Sequence, residues 1–267
     1  MTLVQVGDIE LDCERGGSGP PLLAIMGRSG TYSHWDPSFL ADLRRDFDVI
    51  VYDHRGVGAS TRLEGPLSIR QMAHDADGLL TALDIDSAHI LGISMGGMIA
   101  QELALSEPER IRTLALGCTY CGGPGSMHTS REVVERVARA VQSGDRERAI
   151  RASWEANVSP AFAADEAAWQ RFREIGLRRR VALQVIAAQT QACIEHDTSA
   201  RLGEIALPTL VVHGTVDQVL PVVNGEMIAG LIPHAQLELF ENVGHLFFWE
   251  RPQRAAELLR AHAAARA

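Results

Sequence analysis

Apolar and polar residues alternate along this chain in two rhythms. Short apolar runs of strand length, bounded by glycine, proline or charge, are separated by longer segments whose apolar positions recur every three or four residues. The first rhythm predicts buried strands and the second amphipathic helices. Leu3–Gly17 reads as a hairpin turning at Gly7-Asp8. Pro21–Gly27 and Phe47–Gly56 read as buried strands ending in glycine turns. Ser68–Leu83 puts Ile69, Met72, Ala76, Leu79, Leu80 and Leu83 on one side of a helix. Then follow a strand at Ala88–Ser94, a helix at Gly96–Glu109, strands at Arg110–Cys118, Leu207–Gly214 and Ala235–Gly244, and a closing helix at Arg251–Ala265. Repeated β–α alternation predicts an α/β fold with a mostly parallel sheet covered by helices on both faces.

Residues 122–198 interrupt this rhythm. A Gly/Pro/Ser loop, "CGGPGSMHTS", leads into a run of helical patterns, with Thr129 and Glu132 at capping-box spacing. About four helices are expected there from periodicity. The domain reading is therefore a core of residues 1–121 and 199–267, with 122–198 inserted as a helical cap over the carboxyl edge of the sheet.

Composition narrows the function. Of 267 residues, 46% are hydrophobic, enough for one large buried core, and the net charge of −9 argues against a broad nucleic-acid or acidic-lipid surface. All 25 basic residues are arginine. Without lysine there is no Schiff-base chemistry, no pyridoxal-phosphate anchor and no P-loop lysine. Four cysteines in a chain this long do not form a disulfide framework, and Cys118-Thr-Tyr-Cys121 lacks a second ligand pair. With no secretory signal pattern and no membrane-length apolar stretch, the expected location is cytoplasmic. No membrane or nucleic-acid partner is expected, and monomer or homodimer both remain open. No metal or cofactor is expected either, because the carboxylates and histidines show no HExxH or paired-ligand spacing.

Candidate chemistry centres on Gly92-Ile93-Ser94-Met95-Gly96. A serine between a strand and a helix, flanked by glycines, can be filler in a tight turn or a nucleophile exposed at the sheet edge. A serine nucleophile needs a base, and the base an orienting acid. Asp217 follows the strand at Leu207–Gly214 and His245 follows the strand at Ala235–Gly244. Each alone reads equally as a turn aspartate or a satisfied histidine. Together they give the order Ser, Asp, His, each past its own strand, which favours a catalytic triad. An oxyanion hole would take the N–H of Met95 and one from the loop after an early strand, where Arg28 is the candidate.

These segments resemble the α/β-hydrolase superfamily over nearly the whole chain. "LGISMGGMIAQ" is similar to its nucleophile elbow, and "VYDHRGVGAST" to its F/Y-D-x-R-G-x-G-x-S turn. "IALPTLVVHGTVDQVLP" is similar to its acid loop, and "NVGHLFFWERP" to its histidine segment. "MGRSGTYSHW" matches its oxyanion loop, with Met26 where histidine is common. The Ala188–Asp217 stretch resembles 3-oxoadipate enol-lactonases, and the Met-Gly loop resembles aclacinomycin-type methylesterases. Cofactor-free haloperoxidases have similar elbows. The resemblance implies an α/β-hydrolase fold and a serine hydrolase of the esterase or lactonase type, acting on a small-molecule ester or lactone through an acyl-enzyme.

Two other readings stay open. The same triad can serve perhydrolysis, haloperoxidase-like or other non-hydrolytic chemistry, and a chain retaining the triad can act as a ligand sensor. The substrate pocket is expected among Met26, Trp35, Tyr120, Met127, His128 and Trp154, although helix-borne tryptophans also serve as packing. The Arg28 side chain is either a solvated loop arginine or a partner for a substrate carboxylate.

Overall fold

The computed structural model describes residues 2–178 and 180–264. Ala265, the last residue of the expected closing helix, lies outside them. Eight strands form one sheet: β1 (Thr2–Val6), β2 (Ile9–Gly17), β3 (Pro21–Ile25), β4 (Asp48–Tyr52), β5 (Ala88–Ile93), β6 (Ile111–Gly117), β7 (Thr209–Gly214) and β8 (Gln236–Phe240). Their order is β1-β2-β4-β3-β5-β6-β7-β8. The β1–β2 hairpin pairs Val6 with Ile9, and β2 joins β4 antiparallel; every other pairing is parallel.

Period-two side-chain alternation divides the parallel strands between two apolar layers. Leu23, Ile25, Ile50, Tyr52 and Ile90 face one layer with the helices α2 (Ile69–Ala82) and α3 (Met95–Ser106). Leu22, Ala24, Val49, Val51, Leu91 and Ile93 face the other, with α1 (Pro37–Leu43) and the terminal α11 (Pro252–Ala264), which carries Ala255, Ala256 and Leu259. Both faces are thus buried, as near-continuous apolar strands require.

Between β6 and β7 run α4 (Arg131–Gln142), α5 (Arg146–Asn157), α6 (Pro160–Ala163), α7 (Glu166–Arg178) and α8 (Leu183–Glu195). That is one helix more than periodicity predicts. The extra element, α6, is a single turn begun by the Ser159 cap and Pro160, too short to carry a period. Trp154 of α5 and Phe172 of α7 pack on each other, ring centroids 5.0 Å apart, and on Trp249 at 5.8 and 5.6 Å, so these helices share the second apolar layer. Trp249 lies in α10 (Phe247–Glu250), and α9 (Val223–Leu231) follows β7. Among the described residues no helix is long and apolar enough to cross a membrane.

Candidate active site

Ser94 is the link between β5 and α3, and its backbone is forced (φ 56°, ψ −123°). This conformation is rare for a residue with a Cβ and costs about 1–3 kcal/mol. The flanking glycines explain how the chain achieves it. A Cβ on Gly92 would lie 2.2 Å from the Gly96 carbonyl oxygen, and one on Gly96 would lie 2.1 Å from the Ile25 oxygen. Only bare backbone fits where β3, β5 and α3 converge. Thr119 anchors the elbow from the next strand end, its Oγ1 donating to the Ser94 carbonyl at 2.7 Å.

The loop after β3 runs directly against the serine: a Cβ on Gly27 would stand 3.0 Å from Ser94 Cβ and 3.5 Å from its Oγ. His54, buried, donates from Nε2 to the Met26 carbonyl at 2.9 Å and so pins the start of this loop. Desolvation holds its pKa below the ordinary histidine value. Asp53 accepts the Tyr32 N–H at 2.6 Å and fixes the loop's far side. Arg55 turns away to pair with Asp75 on α2. Neither the Met95 nor the Arg28 N–H donates to another group among the described residues. Met95 opens α3, where helical N–H groups lack intrahelical acceptors.

Asp217 and His245 meet at the adjoining strand ends. His245 Nδ1–H donates to Asp217 Oδ2 at 2.7 Å, and both residues are buried. Asp217 Oδ1 accepts the Val219 and Leu220 N–H groups at 2.7 and 2.9 Å. His213, fully buried at the end of β7, brings Nε2 within 3.3 Å of Asp217 Oδ2 and donates to the Leu220 carbonyl at 2.8 Å. Burial works to raise the Asp217 pKa. The His245 charge and hydrogen bonds from both histidines outweigh it, and the carboxyl stays well below the usual carboxylate range. Glu250 secures the histidine loop: its Oε1 accepts the N–H of Gly244 (2.7 Å) and of Ser159 (2.8 Å), tying that loop to the start of α6. Ser94 Oγ itself has no hydrogen-bond partner among the described residues.

Cys118 Sγ, an Asp217 oxygen and a His245 nitrogen lie within 4.8 Å of one another, donor types that suit zinc. The distances argue for a hydrogen-bonded pair instead. Two ligands about 2.0–2.1 Å from one tetrahedral ion stand about 3.3 Å apart, whereas Asp217 Oδ2 and His245 Nδ1 are 2.7 Å apart. Burial also pushes the Cys118 thiol pKa up, away from the thiolate a metal needs.

An α/β-hydrolase fold family model matches residues 20–252. The chain belongs to the α/β-hydrolase family. Its curated relatives include a putative carbamate hydrolase RutD of Azorhizobium caulinodans, 32% identical over 97% of both chains. A 3-oxoadipate enol-lactonase of Acinetobacter baylyi is 30% identical, over 89% of this chain and 86% of that one. Among solved structures, a hydrolase from Pseudomonas aeruginosa superposes with TM-score 0.83 at 31% identity, covering 97% of this chain and 96% of the other.

Within this α/β-hydrolase the six expected pocket residues separate. Trp35 is buried against Phe39 and Phe248, and Trp154 among Phe162, Phe172 and Trp249; both occupy the second apolar layer. Met26 is buried below Gly30 in the loop after β3. Tyr120 is buried, donates its hydroxyl to the Cys193 carbonyl on α8 and meets the His128 ring edge-on at 5.2 Å. Met127 is exposed, its backbone held by Asn224. Sequence reasoning missed Gln189 of α8, which is fully buried and accepts the Ser29 N–H at 2.9 Å on Oε1. It also missed His213 and Glu250. The strand-terminal "VVHG" and the acid five residues after His245 were the available signals.

Proposed function

We propose that this chain is a serine hydrolase that cleaves a carboxylic ester or lactone of a small molecule. The observation that carries the reading is the 2.7 Å bond from His245 Nδ1 to a buried, ionised Asp217, formed at the sheet edge that also bears the strained Ser94. Ser94 is the nucleophile, His245 the base and Asp217 the orienting acid. His245 Nε2 takes the Ser94 proton as Oγ attacks the carbonyl carbon, and Asp217 stabilises the resulting imidazolium. The Met95 and Arg28 N–H groups hold the oxyanion. The C–O bond to the alcohol then breaks, and His245 returns the proton to the leaving oxygen. Water, deprotonated by His245, attacks the acyl-Ser94 ester and releases the acid. In a lactone, the alcohol stays tethered to the acyl part.

The helices between β6 and β7 serve as the cap of this site. The test is turnover of short-chain esters, simple lactones and a carbamate by wild type and Ser94→Ala, with fluorophosphonate labelling followed by peptide mass spectrometry. Turnover lost in the variant, and label on Ser94, are expected. Wild type without turnover or label defeats the reading, and peroxide-dependent oxidation exceeding hydrolysis replaces it with perhydrolysis.

A further inference from the structure

Gln189 joins the cap to the loop beside the nucleophile, and it does so with only half of its amide. Its Oε1 accepts the Ser29 N–H at 2.9 Å, which fixes which end of the amide is oxygen. The opposite end, Nε2, has no hydrogen-bond partner among the described residues although the side chain is fully buried. An unpaired buried donor is costly enough that proteins rarely retain one without a partner in some functional state. Its place is informative. Ser29 follows Arg28 and stands two residues, at most about 7.6 Å of chain, from Gly27, the residue that abuts Ser94. The next residue of α8 contacts the same loop: Thr190 Oγ1 lies 3.3 Å from Arg28 Nη1. Val185, one helical turn earlier, closes on Gly56. α8 is therefore seated on the loop, and the amide that carries the free donor is bonded through Oε1 one residue past the Arg28 N–H that would bind the oxyanion.

We infer that Gln189 Nε2 is a specificity-determining donor, and that the substrate carries a second oxygen acceptor, an oxo, hydroxyl or carboxylate group, a few bonds from its scissile carbonyl. The inference rests on the serine-hydrolase reading and adds the substrate class to it. A plain alkyl acyl group leaves Nε2 unpaired in a closed site, whereas an oxygenated one pairs it. Discrimination then comes from the penalty on the wrong substrate as much as from attraction to the right one.

The experiment compares matched p-nitrophenyl esters: 4-oxopentanoate with pentanoate, and 3-hydroxybutanoate with butanoate. The readout is the ratio of kcat/KM for the oxygenated ester to that for the plain one, in wild type, Gln189→Glu and Gln189→Leu. Gln189→Glu keeps an acceptor for the Ser29 N–H and exchanges the donor for a carboxylate oxygen, whose charge acts on both members of a matched pair and cancels in their ratio, so that ratio reports on Nε2 even where Gln189→Leu loosens the fold. At least one oxygenated ester is expected to be preferred by wild type, and that ratio is expected to fall by ~10-fold or more in both variants, the scale of one unpaired buried donor. A merely structural role lowers both members of a pair together and leaves the ratio unchanged. That result, or a wild-type ratio near one for every pair, overturns the inference while Ser94 still labels with fluorophosphonate. Loss of labelling and of all ester turnover in wild type overturns the underlying reading and this inference with it.

Discussion

Replacing Asp217 by Asn removes one charge and almost no volume, and the surrounding hydrogen bonds dictate which way the new amide sits. Asp217 Oδ1 accepts two backbone N–H groups, from Val219 and Leu220, at 2.7 and 2.9 Å. The Asn oxygen keeps those bonds, so its NH2 must face His245 Nδ1, now 2.7 Å from a donor in place of an acceptor. His245 responds by accepting at Nδ1 and carrying its proton on Nε2, where it cannot take the proton of Ser94. The imidazolium formed during attack also loses its counter-charge. At an effective dielectric of about 20, unit charges 2.7 Å apart attract by about 6 kcal/mol, and each ~1.4 kcal/mol is a decade in rate. The expected loss in kcat is therefore about four decades, with KM within ~3-fold because the acid acts after substrate is bound. Stopped assays of p-nitrophenyl esters at pH 8, on protein checked by thermal melting, give both constants. A folded Asp217→Asn enzyme within tenfold of wild-type kcat would refute the assignment of Asp217 as the orienting acid.

Three further outcomes follow from the geometry. Gly96→Ala should abolish folding, since its Cβ would meet the Ile25 backbone at 2.1 Å, whereas a Cβ on Gly27 comes no nearer than 3.0 Å to Ser94 Cβ and 3.3 Å to the Ile93 oxygen. Gly27→Ala should melt within a few degrees of wild type yet lose ~10-fold or more in kcat; equal damage to stability in both variants contradicts the distinction. Glu250→Ala strands the Gly244 and Ser159 N–H groups and should lower stability by about 2–4 kcal/mol, read as a drop in Tm, together with kcat; an unchanged Tm removes Glu250 from the histidine loop's support. Burial holds His196 near a pKa of about 4, so between that value and about 6.5 the unfolded chain binds the extra proton. Stability from this residue is complete above about 6.5 and declines as pH falls towards 4, by on the order of 1–3 kcal/mol. Tm measured from pH 7 to pH 5 should fall less steeply in His196→Asn than in wild type, and parallel curves count against the assignment.

Most of the sheet was legible because its central strands are buried on both faces and bounded by glycine or charge. β3, β5, β6 and β7 all fall inside the apolar runs. α1 and α9 were not legible, for different reasons. α1 is seven residues long, too short for periodicity, although Asp36 and Pro37 supply an N-cap and first-turn signal. α9 contains two glycines, which read as breakers. Yet Gly225 is required inside that helix, because a Cβ there would come 2.6 Å from His213 Nδ1. The helix gives up propensity so that α9 can close on the histidine that braces Asp217. A tertiary constraint of that kind leaves only an apparent defect in the sequence.

The candidate site divides along the same line. Ser94, Asp217 and His245 stand just past strand ends, a position that a local rule can find without knowing what touches what. The residues that escaped notice act across the chain: Gln189 reaches a partner 160 positions away and Glu250 one 91 positions away. Trp35 and Trp154 attracted attention for their residue type, but their neighbours are the aromatic side chains of the second apolar layer. On the proposed reading the reaction type is written in local signals, because this fold sets its candidate groups at strand ends in one chain order. The inferred substrate choice depends on the seam between α8 and the loop after β3, and that seam exists only once the chain has folded. On that reading, variants meant to change the substrate belong at Gln189, Thr190 and Arg28, while variants at the three strand ends are expected only to slow the reaction.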